Sequence, residues 1–124
     1  MSEHDEQVAV VDWFNLKYPK YQACLIAIPN GAMLAGSPKK RGFQMHRLKR
    51  EGLKPGVPDL FLAVPRGKYH GMWLEMKDNG KTRSSLTKAQ WEYLVLMREN
   101  GYFAAWAAGA ESAMSSIENY MAEK

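Results

Sequence analysis

Cysteine is nearly missing from this chain: its 124 residues include one, Cys24. An internal disulfide and a cysteine-built zinc site are therefore excluded. That thiol lies in the apolar run from Ala23 to Ile28, which reads as a buried structural position rather than a nucleophile. The three histidines, His4, His46 and His70, stand apart with no HxH or HExxH spacing, so histidine ligation of zinc has no support. A glycine-rich phosphate cradle, a serine-nucleophile motif, a secretory leader and an apolar run of transmembrane length are all lacking. No repeat, low-complexity tract or linker divides the chain, so residues 1–124 read as one domain. The expected compartment is a reducing cytoplasm.

Two acids and a lysine occupy apolar surroundings. Asp59 lies in Val57-Pro58-Asp59-Leu60-Phe61-Leu62-Ala63-Val64, and Glu75 and Lys77 in Met72-Trp73-Leu74-Glu75-Met76-Lys77. Both runs read as strands, and Pro65 to Gly71 between them is polar and turn-rich. An antiparallel pairing centred near Gly67 sets Asp59 opposite Glu75; one centred near Lys68 sets it opposite Lys77. Side chains alternate along a strand, so these three odd-numbered positions share a face in either register. Pro-Asp alone is common in turns and Glu-x-Lys on solvated edges. Acids within near-continuous apolar runs are costly to bury without a counter-charge, however, and that context favours function. Magnesium takes oxygen ligands in octahedral geometry, usually one or two carboxylates with water and phosphate. Asp59, Glu75 and the backbone carbonyl of Met76 suit such an ion. Lys77 suits positioning a water or stabilising charge on a phosphorus centre.

Charge is concentrated just ahead of these residues. Between Ser37 and Lys54 lie Lys39, Lys40, Arg41, Arg47, Lys49, Arg50 and Lys54 against the single acid Glu51. That segment carries +6 of a chain whose formal total is +4, so the remainder sums to −2. A solvated helix explains such a run, but its position before Asp59 favours contact with DNA phosphates. Phe43, Met45 and His46 among the charges read as packing residues.

The coarse layout alternates helices and strands. A first helix carries Val8, Val11 and Leu16 on a broad apolar face with Val10, Trp13 and Phe14 nearby, is capped by Ser2 or Asp5, and ends at Lys17-Tyr18-Pro19. Tyr21 to Ile28 reads as a strand, Asn30-Gly31 to Gly36-Ser37-Pro38 as a loop, and Phe43 to Arg50 as a helix. After the two acid-bearing strands, Thr87 starts a helix ending at Asn100-Gly101, with Trp91, Leu94 and Val95 inward. Tyr102 to Ala107 reads as a strand. Ala110, Ala113, Met114, Ile117 and Met121 mark a final amphipathic helix.

Pro58, Asp59, Glu75 and Lys77 match the signature of the PD-(D/E)XK nuclease superfamily. The chain further resembles its VRR-NUC (virus-type replication-repair nuclease) branch, from about Glu3 to Ala107. The motifs are Glu3-His4-Asp5-Glu6-Gln7 on the first helix, Ile28-Pro29-Asn30-Gly31, Gly56-Val57-Pro58-Asp59, and Leu86-Thr87-Lys88-Ala89-Gln90. The resemblance implies an α/β restriction-endonuclease-like core, a central mixed β-sheet flanked by helices in the order αβ(α)ββαβα. It implies a Mg2+- or Mn2+-dependent endonuclease, with Asp59, Glu75, Lys77 and Gln90 catalytic and Glu3 a candidate outer metal ligand. It also implies a homodimer acting on branched DNA such as Holliday junctions, as in small standalone phage members. By sequence alone Gln90 completes a Thr-x-x-Gln capping box and Glu3 is a helix-start acid, so both roles stay open for each. The rival readings are a non-catalytic nucleic-acid-binding module that keeps the fold, and a glycoside hydrolase using Asp59 and Glu75 as an acid–base pair.

Overall fold

A computed structural model describes residues 1–29 and 36–124. The expected Asn30-Gly31 turn lies outside the described residues. The elements are α1 (Glu3–Lys17), β1 (Leu25–Ala27), α2 (Pro38–Arg50), β2 (Leu60–Leu62), β3 (Met72–Lys77), α3 (Lys88–Glu99), β4 (Phe103–Ala108) and α4 (Ala110–Ala122). The strands form one sheet in the order β1-β2-β3-β4. β1/β2 and β2/β3 are antiparallel, and β3/β4 are parallel with α3 as the crossover.

Strand alternation gives the sheet two different faces. Leu60, Leu62, Met72, Leu74 and Met76 are buried on one, against Val10 and Phe14 of α1 and Ala113, Ile117, Tyr120 and Met121 of α4. Burying each leucine stabilises the fold by roughly 2 kcal/mol. The other face carries the odd-numbered residues of β2 and β3 and the even-numbered ones of β1 and β4. There Phe61 and Trp73 lie 4.4 Å apart between ring centroids, and Tyr93 of α3 meets Trp73 at 5.8 Å.

Several boundaries differ from the sequence expectation. Pro19–Cys24 forms a 3-10 helix, leaving β1 only three residues. Proline at the first turn fixes a helical φ and overrides the strand propensity of that stretch. α2 begins at Pro38, five residues earlier than expected, because Ser37 Oγ accepts from Lys40 N at 3.2 Å and proline is well suited to a first helical turn. On α1 the buried stripe is Glu6, Val10 and Phe14, whereas Val8 and Leu16 are exposed. Apolar residues lie nearly all round this helix, so periodicity alone selects no face. Cys24 is half-buried rather than enclosed.

One glycine sets how closely α3 approaches the sheet. Gly56 has φ +77, and a Cβ there would lie 2.4 Å from the carbonyl carbon and oxygen of Ala89 and 2.7 Å from Gln90 N. Gly80 has a similar φ, +87, with nothing within 4 Å of its Cβ position. Gly56→Ala is expected to destabilise the protein by about 2–4 kcal/mol, and Gly80→Ala by only about 1 kcal/mol. Denaturant titration of the two variants separates backbone strain from the close contact; equal losses would remove the packing argument.

Candidate active site

The register brings the two acids together. β2 and β3 pair Leu60 with Leu74, and one step further sets Asp59 opposite Glu75, the Gly67-centred alternative. Parallel pairing with β4 places Trp106 beside Glu75, and Ile28 N donates to Asp59 O at 2.8 Å. Ile28, Asp59, Glu75 and Trp106 therefore form one row across the sheet, with Lys77 two residues beyond Glu75 on the same face.

Backbone chemistry accounts for the Pro-Asp pair. Even-numbered residues of β3 direct their backbone groups toward β2, and the continued register sets Pro58 opposite Met76. Proline has no N–H, so it offers no ladder donor to the Met76 carbonyl. The Met76 N–H donates instead to Asp59 Oδ2 at 2.8 Å. Asp59 is thereby fixed beside a carbonyl that its own preceding residue leaves free for another partner.

Gln90 joins α3 to this row. Its Nε2 donates to Glu75 Oε1 at 3.0 Å, and its Oε1 accepts from Lys77 Nζ at 3.0 Å and from Thr87 N at 2.9 Å. Thr87 Oγ1 accepts from Gln90 N at 3.1 Å, completing the capping box. One amide thus makes the helix cap and the contacts with Glu75 and Lys77 together. Three hydrogen bonds fix which end of the amide faces which partner.

The electrostatics are those of an unneutralised pair. Glu75 is 3% exposed and its Oε2 receives no hydrogen bond among the described residues. Burial and the adjacent Asp59 push its carboxyl up to about 8, with Lys77 opposing. Asp59 is raised too, chiefly by burial, against the lowering effect of the Met76 N–H. Two carboxyl groups this close cannot both ionise cheaply without a cation between them; without one, they hold a proton.

The donor set fits a hard divalent ion: two carboxylates, one with an unpartnered oxygen, and an adjacent backbone carbonyl. Among the described residues no group of three or more His, Cys, Asp or Glu side chains converges to hold a metal. Glu3 is half-buried and its carboxyl is raised by burial and by Asp59, so it lies within electrostatic reach without completing a ligand group. The neighbouring acids have separate duties. Asp5 closes the α1 capping box with Ser2, and buried Glu6 accepts from Ala110 N at the start of α4. Gln7 lines a separate cavity with His4, Val8, Val11 and Asp12.

A cavity of about 310 Å³ opens on the site, lined by Asp59, Glu75 and Gln90. Met45, Lys49, Leu53 and Lys54 border it from α2 and the residues that follow. Lys39, Lys40, Arg41, Arg47 and Arg50 are exposed on α2 outside this lining, and none of the seven basic residues forms an ion pair among the described residues. Helix α2 buries no residue, and Phe43 is 63% exposed rather than packed. Sequence reasoning missed Met45 and Leu53 as cavity walls and Trp106 as the neighbour of Glu75. For Trp106 the signal was period-two alternation in Tyr102 to Ala107, which yields a face only once the β3/β4 register is known.

A family model for the VRR-NUC domain matches residues 1–111. The chain belongs to the VRR-NUC domain family. A solved structure described as a VRR_NUC domain protein is similar to it with a TM-score of 0.81 and 27% identity, covering 98% of this chain and 88% of that one. No curated protein matches the chain. VRR-NUC membership implies a nuclease-type fold, and the four-stranded mixed sheet flanked by helices accords with it. No helix among the described residues is long and apolar enough to cross a membrane.

A pH dependence follows for this VRR-NUC site. A carboxyl whose folded pKa exceeds its unfolded value favours the folded state while protonated. The stability from Glu75 is therefore full below its ordinary value of 4.5, falls as pH rises, and levels off above about 8. In EDTA the wild-type Tm is expected to drop across that window, and Glu75→Gln to flatten the drop. Mn2+ should raise the wild-type Tm more at the alkaline end, where no proton competes. A Tm indifferent to Mn2+ at both ends would count against a cation at this position.

Proposed function

We propose that this protein is a Mg2+- or Mn2+-dependent endonuclease that hydrolyses DNA phosphodiester bonds, selective for branched DNA such as Holliday junctions. The observation that carries the reading is the pairing of buried Glu75 with half-buried Asp59, with one Glu75 oxygen lacking a donor among the described residues, opening on a cavity bordered by Lys49 and Lys54. Asp59, Glu75 and the Met76 carbonyl would hold the ion, with Glu3 in an outer position. A bound Mg2+ or Mn2+ supplies Lewis-acid stabilisation of the phosphate and a more acidic water.

The chain's own groups do the rest. Gln90 holds Lys77 Nζ beside the carboxylates, so the ammonium meets charge developing on the phosphate oxygens or orients the attacking water. The new bond forms from that water's oxygen to phosphorus as the bond to the leaving sugar oxygen breaks; the attacking water gives up a proton to solvent and the leaving oxygen takes one up from solvent. Gln90 Nε2 keeps Glu75 Oε1 occupied and so leaves Oε2 directed elsewhere. Exposed cations on α2 lie alongside for the flanking backbone. Cytoplasm is the inferred compartment, where Cys24 stays reduced.

A homodimer completes the reading, because symmetric cutting of a junction needs two sites. What supports it is the outer edge of β4. Phe103-Ala104-Ala105-Trp106-Ala107-Ala108 carries no charge and no proline. Phe103 N and Gly109 N donate to Gly71 O and Lys77 O, so the even-numbered residues direct their backbone outward. Among the described residues only the Ala104 carbonyl is met there, by Arg98 Nε at 2.8 Å. Such an undefended edge is a template for strand pairing. Ala108→Pro removes an outward N–H and is expected to yield a monomer in sedimentation; an unchanged dimer would place the interface elsewhere.

Cleavage is tested on linear, flapped and four-way DNAs with Mg2+ or Mn2+. Cutting that favours the four-way substrate and stops in EDTA is expected. Asp59→Ala, Glu75→Ala and Lys77→Ala should each lower the rate by at least about 10³-fold with the fold retained. A fully active Asp59→Ala protein would end the assignment, and binding without cutting on every substrate would favour a non-catalytic module.

A further inference from the structure

Residues 78–86 leave the active site and return to it. Lys77, before the segment, donates through Nζ to Gln90 Oε1 at 3.0 Å, and Thr87, after it, donates through its backbone N to the same oxygen at 2.9 Å. The segment is tied internally. Lys81 N donates to Asp78 O at 3.1 Å, and Ser85 donates through N and Oγ to Thr82 O at 2.9 and 2.7 Å. Leu86 N donates to Arg83 O at 3.0 Å, and the hydroxyls of Thr82 and Ser84 lie 2.8 Å apart.

Arg83 stands out on this loop. Its guanidinium carbon lies 3.9 Å from the ring centroid of Trp91, the residue after Gln90, while Arg98 approaches the same ring at 5.6 Å. Arg83 is exposed, and among the described residues its side chain has no ion pair and no hydrogen bond. Between Asp78 and Glu92 the sequence has Lys81, Arg83 and Lys88 and no acid. Lys88 pairs with Glu92 only at 3.8 Å, in the open.

A guanidinium stacked on a ring engages the indole through its face and keeps its edge N–H donors outward. Those donors form a planar fork that matches two phosphate oxygens, and stacking has already restricted the long side chain. We propose that Arg83, held on Trp91 beside the first turn of α3, is a phosphate clamp for the nucleic-acid backbone that flanks the scissile phosphate. Lys49 of α2 and Lys54 after it, which line the cavity, are a separate set of cations. The inference rests on the nuclease reading for its substrate but on separate residues for its observation. Mere cover for Trp91 explains the stack, yet it predicts no effect on binding to a polyanion.

The test is anisotropy of a fluorescein-labelled four-way DNA bound by the full chain, in EDTA, across a salt series. Arg83→Ala is expected to weaken binding about tenfold and to lessen the slope of log Kobs against log salt by about 0.9, the value for one phosphate contact on B-DNA. Arg83→Lys should keep the slope while losing part of the affinity, because an ammonium offers no planar fork. Replacing Lys49 and Arg50 by alanine together, the comparison on the α2 side, should lessen the slope by about 1.8. Wild-type affinity and slope in Arg83→Ala would overturn the clamp, as would a lowered Tm with the slope unchanged. A lessened slope in a protein that cuts no DNA would uphold the clamp and sink the nuclease reading instead.

Discussion

Two carboxyl groups held side by side in a largely apolar sheet are the constraint around which the remaining structure is arranged. Asp59 and Glu75 meet because an antiparallel register puts them opposite one another, and both resist ionising where they sit. Ionising such a pair costs stability, because burial and mutual repulsion both oppose the charged forms. Proline before the aspartate, which offers no donor to the Met76 carbonyl, extends the arrangement into the backbone.

α3 is tied to Glu75 of that pair as well as held by its own hydrophobic contacts. Gln90 spends its amide on Glu75, Lys77 and the helix cap at once, so the helix start cannot shift without disturbing the carboxylate. Gly56 lets the Pro-Asp segment lie against the same turn at a distance no side chain permits. The first turn of α3 is thus clamped from the sheet below and from the loop beside it. Helix α2 contrasts with this: it buries nothing and forms no ion pair among the described residues, so its cations keep their hydration.

Much of the site was legible because strand periodicity is short and strict. The odd positions of Asp59, Glu75 and Lys77 were enough to assign a shared face, and the turn-rich Pro65–Gly71 segment limited pairing to two registers. The helix beginning at Thr87 was legible from its capping pattern. The inward face of α1 was not, since its apolar residues surround the helix and the choice of Glu6, Val10 and Phe14 came from docking against α4 and the sheet. Nor was the length of β1, which a 3-10 turn started by Pro19 consumed.

Local chemistry written along the chain determined which residues carry charge into apolar strands, where helices start and stop, and that the three polar groups point one way. Only the tertiary structure decided that Asp59 faces Glu75 rather than Lys77, that Trp106 and Ile28 flank them, and that one glutamine serves both helix and site. Those outcomes depend on register and on the approach of segments far apart in sequence. Alternation fixes the direction of a side chain, but only packing fixes its neighbours.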